Sequence, residues 1–199
     1  AVTLIPLTGC LFSGTINELY QLPQLPSEYT ELQKLLDSIL DSGAEYAAPT
    51  SGANIQSVQL VDLNGDGSQE AVAFFRSSNE ERPLKIYIFQ TVDGTYQQAA
   101  LIESSGTSIY SIQYTDMDGD GVSEILVGWR VSPELQALSV YTIRDFEPQS
   151  LITTNYVRFA VADLNLDGRQ ELTVLRGDGE ENVADYYSWR EDGYLTVQS

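Results

Sequence analysis

The chain contains no histidine and one cysteine, Cys10, in 199 residues. An intrachain disulfide is therefore impossible. Ser-His-Asp and Cys-His catalysis and histidine-ligated zinc are excluded as well. Positive charge is almost as scarce: ten Lys and Arg face 29 Asp and Glu, a formal net charge of -19. So few cations cannot neutralise a run of phosphates, which excludes nucleic acid as a partner. The same balance disfavours anionic membrane surfaces. Paired carboxylates could still hydrolyse glycosides, but the acid clusters that can be identified belong to another pattern.

That pattern is a nine-residue stretch found three times: Asp62-Leu63-Asn64-Gly65-Asp66-Gly67-Ser68-Gln69-Glu70, Asp116-Met117-Asp118-Gly119-Asp120-Gly121-Val122-Ser123-Glu124 and Asp163-Leu164-Asn165-Leu166-Asp167-Gly168-Arg169-Gln170-Glu171. Each copy places side-chain oxygens at positions 1, 3, 5 and 9 and glycine at position 6. Six to eight oxygens at flexible geometry suit calcium, and a loop that wraps an ion needs a sharp backbone turn. The expected ligands are Asp62, Asn64, Asp66 and Glu70; Asp116, Asp118, Asp120 and Glu124; and Asp163, Asn165, Asp167 and Glu171. Position 7 is Ser68, Val122 or Arg169, which share no side-chain chemistry, so a backbone carbonyl is expected there. Asp-Gly is also a common hairpin turn signal. Asp93-Gly94, Asp178-Gly179 and Asp192-Gly193 lack the full oxygen pattern and read as plain turns. In the third loop Leu166 stands where the others have Gly65 and Gly119, which should stiffen it without removing a ligand.

Short apolar or alternating runs flank each loop, such as Ser57–Val61 before the first and Ala71–Arg76 after it. They read as strands, so the unit is strand, loop, strand. With these flanks the sequence resembles the FG-GAP/VCBS repeats of integrin α-subunit β-propellers and bacterial surface proteins, over residues 54–199. The resemblance implies that the loop joins two strands of a blade and binds calcium. The loops start 54 and 47 residues apart, a period that suits four-stranded blades. The expected fold is all-β, with three four-stranded β-propeller blades forming an incomplete propeller whose further blades lie outside this chain. Most of the aromatics, Phe74, Trp129 and Trp189 among them, are expected between blades.

The N-terminus, ending in Leu7-Thr8-Gly9-Cys10, resembles the end of a bacterial lipoprotein signal peptide. The resemblance implies that residues 1–9 are a signal remnant and that Cys10 carries lipid. Residues 10–26 then form a tether ending in Leu22-Pro23-Gln24-Leu25-Pro26. An amphipathic helix is expected over 27–43. Ser27 would cap it, Leu32, Leu35, Leu36, Ile39 and Leu40 would form its apolar stripe, and Gly43 would stop it. It should pack against the first blade or cap an exposed strand edge, and residues 44–53 read as a linker.

These readings predict a calcium-binding, lipid-anchored, extracytoplasmic module of the bacterial cell envelope. Its role would be non-catalytic, with an extracellular protein or glycan as partner and only the lipid anchor reaching the membrane. Two alternatives remain open, an accessory or catalytic part of a secreted polysaccharide-active enzyme and a structural envelope component.

Overall fold

The computed structural model describes residues 27–144, 147–177, 182–190 and 195–198. Cys10, the signal remnant and the tether lie outside the described residues, as do the turns at Asp178-Gly179 and Asp192-Gly193.

After helix α1 (Ser27–Asp41) every element is a strand. The strands are β1 (Glu45–Tyr46), β2 (Val58–Val61), β3 (Glu70–Arg76), β4 (Leu84–Val92), β5 (Thr95–Ser104), β6 (Ser108–Thr115), β7 (Glu124–Arg130), β8 (Gln136–Arg144), β9 (Glu147–Tyr156), β10 (Arg158–Ala162), β11 (Glu171–Gly177), β12 (Asn182–Trp189) and β13 (Leu195–Gln198). They form three antiparallel sheets whose four main strands pair in chain order: β2 to β5, β6 to β9 and β10 to β13. The all-β expectation and the strand–loop–strand unit therefore hold.

Strand β3 shows how the layers assemble. Its sequence Glu-Ala-Val-Ala-Phe-Phe-Arg is buried up to Phe75, so both faces of the strand are covered. Val72 and Phe74 pack with Ile125, Val127 and Trp129 of the second sheet. Ala71, Ala73 and Phe75 turn the other way, onto Leu32 and Leu36 of α1. This is the period-2 alternation of a strand. A second core joins Leu126, Leu138 and Val140 of the second sheet to Leu172 and Val174 of the third. Burying a side chain such as Phe74 contributes roughly 1.5–3 kcal/mol.

Helix α1 lies where its apolar stripe predicts. Leu32 and Leu36 are buried, and Leu35, Ile39 and Leu40 pack beside them on the outer face of the first sheet. Gly43 N–H donates to the Leu40 carbonyl at 2.9 Å and takes φ of 94°, so a glycine ends the helix as expected.

The linker reading of residues 44–53 needs correction. Glu45 and Tyr46 form a strand paired with Arg76 and Phe75, which gives the first sheet a fifth strand. Strand β2 pairs with β3 only as far as Ala73, leaving the far end of β3 without a neighbour on that side. Strand β1 takes that place, Ala47 N–H donates to the Phe74 carbonyl at 2.9 Å, and Tyr46 stacks on Phe75 at 4.8 Å. The Asp93-Gly94 turn behaves as a plain hairpin turn. It joins β4 to β5 with φ of 50° and 76°, both positive as a type I′ turn requires.

Candidate metal loops

All three loops join the first two main strands of a sheet, and each is wound around its own acidic side chains. In loop one Asp62 accepts N–H bonds from Gly65 and Gly67 at 2.8 and 3.0 Å, one on each oxygen. Asn64 Oδ1 accepts from Asp66 N–H at 3.0 Å, and Asp66 Oδ1 accepts from Ser68 N–H at 2.7 Å. Loop two repeats these bonds, with Asp116 taking Gly119 and Gly121, Asp118 taking Asp120, and Asp120 taking Val122. In loop three Asp163 takes Gly168, Asn165 takes Asp167, and Asp167 takes Arg169.

The carboxylate at position 9 opens the next strand and is buried in every copy, at 5%, 1% and 1% exposure for Glu70, Glu124 and Glu171. Its Oε2 reaches back to the N–H of position 2, that of Leu63, Met117 or Leu164, at 2.8–2.9 Å. Burial pushes the carboxyls of Glu70 and Asp118 above the usual range. Burial first, and the nearby charges of Asp118 and Asp120, push Glu124 up to about 7. The exposed Asp66 moves down instead, chiefly through its bond from Ser68 N–H.

Position 3 divides the loops into two kinds. In loops one and three the asparagine amide bridges the acids. Asn64 Nδ2 donates to Asp66 at 3.1 Å and to Glu70 at 3.4 Å, and Asn165 Nδ2 donates to Asp167 at 3.0 Å and Glu171 at 3.1 Å. Loop two has Asp118 there, which in its ionised form has no proton to donate. One oxygen each from Asp116, Asp118 and Asp120 lies within 4.8 Å of the others, the only such trio among the described residues. Converging carboxylates with only oxygen to offer match a hard cation such as calcium and mismatch zinc or copper. All twelve side chains expected at positions 1, 3, 5 and 9 sit together in their loops.

The sequence reading missed the contacts between loops. Ser123 N–H donates to the Leu63 carbonyl at 2.7 Å, and Gln170 N–H to the Met117 carbonyl at 2.8 Å, so each loop is tied to the next through its second residue. A Cβ on Gly65 would lie 2.5 Å from the Gly121 carbonyl oxygen. The Leu63 and Met117 side chains are buried at 5% and 0%, whereas Leu164 is 59% exposed. The repeated apolar residue at position 2 was the available signal. Leu166 makes the third loop locally different from the other two. It adopts φ of 62°, a strained region for a side-chain-bearing residue, and Asp163 Oδ1 accepts from Asp167 N–H rather than from residue 166.

Residues 62–127, which span loops one and two, match the family described as an FG-GAP-like repeat. This stretch carries a repeat of that kind, in agreement with the resemblance drawn from the loops. No curated protein matches the chain. Among solved structures it is similar to the exotype rhamnogalacturonan lyase YesX, at 21% identity and a TM-score of 0.44, covering 78% of this chain and 33% of that one. It is also similar to a rhamnogalacturonan lyase from Bacillus licheniformis, at 20% identity and a TM-score of 0.45, covering 77% and 34%. The chain spans about a third of the length of each.

Proposed function

We propose that this chain is a calcium-stabilised, non-catalytic binding module of the bacterial cell envelope, its three sheets serving as propeller blades. The observation that carries the reading is the convergence of Asp116, Asp118 and Asp120 oxygens in a loop pattern present three times. Bound calcium supplies positive charge to acids that otherwise repel one another. Asp116, Asp118, Asp120 and Glu124 would hold it in loop two, and the corresponding side chains in loops one and three, with the carbonyls of Ser68, Val122 and Arg169 at position 7. Because the loops are tied to one another, filling them would stiffen the whole row at one end of the sheets. Cys10 would anchor the module by lipid outside the cytoplasm, a reading that rests on its sequence motif.

A ligand that binds only the folded state stabilises it by about 2.7 kcal/mol at a hundredfold excess over Kd. Calorimetry on metal-stripped protein should therefore give calcium-binding heat and a melting temperature that rises with calcium and falls again with chelator. Absence of both leaves the loops as polar turns. Labelled fatty acid fed to a bacterial host should mark the wild type and leave Cys10→Ala unmarked.

A further inference from the structure

A cleft of about 370 Å³ lies between the first two sheets, lined by Arg82, Glu103, Trp129, Ser139, Tyr141 and Thr153 among others. Trp129 stands near the end of β7 and Glu103 near the end of β5, while Tyr141 pairs with Ile125 next to Glu124, so the cleft runs along β7 and β8 toward loop two without being lined by the loop's acids. Its polar groups are of three kinds. Arg82 only donates hydrogen bonds, and the Glu103 carboxylate only accepts them. Thr153 and Tyr141 carry hydroxyls that do both, with the buried Ser139 behind Thr153. Ser139 Oγ is 3.3 Å from Thr153 Oγ1, which is 3.3 Å from Ser150 Oγ, so these hydroxyls form a chain along β8 and β9. Glu103 is fixed by Lys85 at 2.6 Å, and Lys85 also holds Glu80 at 2.6 Å. Arg82 is exposed, and none of the ion pairs among the described residues involves it.

A mixed donor and acceptor set beside the half-buried ring of Tyr141, with the core residue Trp129 beneath, matches a sugar ring, whose hydroxyls both donate and accept and whose C–H faces favour aromatic surface. Charge selects among sugars. Arg82 lines the same cleft as Glu103, whose Lys85–Glu80–Glu103 cluster carries one net negative charge, on a protein of net charge -19, so a polyanionic glycan gains no attraction here. We propose that this cleft binds a neutral saccharide. The proposal rests on the binding-module reading, to which it adds a ligand class, and it needs no calcium at the cleft.

The test titrates calcium-loaded protein with fluorescently labelled galacto-, gluco- and xylo-oligosaccharides, with oligogalacturonate as the anionic comparison. At least one neutral probe should bind, and Arg82→Ala and Thr153→Val should each weaken it, the former about tenfold, the loss of one charged hydrogen bond. Both residues are exposed, so the melting temperatures should match the wild type. No binding of any neutral probe overturns the proposal, as does tighter binding of oligogalacturonate or affinity that neither variant changes. Calcium heat measured on the same samples reads the loops separately, so failure of the cleft and failure of the calcium reading stay distinguishable.

Discussion

At the scale of single residues, one atom at position 3 separates the loops. The Asn64 amide nitrogen bridges Asp66 and Glu70, whereas Asp118 adds another acid to the trio in loop two. Asp118→Asn should therefore raise the melting temperature of metal-free protein, by the equivalent of about 1 kcal/mol for the hydrogen bonds gained and the repulsion lost. It should also shrink the gain from calcium. Asn64→Asp should do the reverse, and melting scans with calcium or chelator check both. Lys85 supplies a pH signature. Burial alone would lower its pKa, but its hydrogen bonds to Glu103 and Glu80 prevail and the net shift is upward. The stability this lends is complete below the unfolded value of 10.5 and is lost as pH rises through the higher folded value. Urea unfolding should thus show a fall in stability above about pH 10.5 that is weaker in Lys85→Met.

At the scale of elements, the loops act as a linked row. Gly65 and Gly67 both have positive φ, 72° and 86°, yet a Cβ at residue 67 meets nothing within 4 Å while one at residue 65 strikes backbone of the next loop. Gly67→Ala should cost about 1–2 kcal/mol, the strain of the left-handed conformation. Gly65→Ala adds a clash that no rotamer relieves and should cost about 3 kcal/mol. Denaturant midpoints would separate them. The oxygen spacing and the helix stripe at Leu32 and Leu36 were legible because they are local and periodic. Strand β1 was not, because Glu45 and Tyr46 become a strand only through the open end of β3, some thirty residues later. The Ser123–Leu63 bond was hidden for the same reason.

At the scale of the whole molecule, a net charge of -19 opposes compaction. Raising ionic strength from about 0.01 M to about 0.15 M shortens the Debye length from roughly 30 Å to about 8 Å. Salt should therefore raise the melting temperature of metal-free protein more than that of calcium-loaded protein, whose acids are partly neutralised. Equal shifts in the two forms would show that the loops contribute little to the repulsion.

The sequence by itself determined the strand–loop–strand unit, the acids at positions 1, 3, 5 and 9, the helix and the excluded chemistries. Each of these depends on residue type and on spacing within a few residues. Tertiary structure decided which strand covers which: α1 on the first sheet, β1 on β3, and each of the first two loops on the one that follows. It also decided that Glu124 is buried beside three converging aspartates and that Arg82, Ser139 and Tyr141 border one cleft. Those placements depend on sheets separated in the chain coming together to bury Phe74, Leu126 and Val174, which local spacing does not encode.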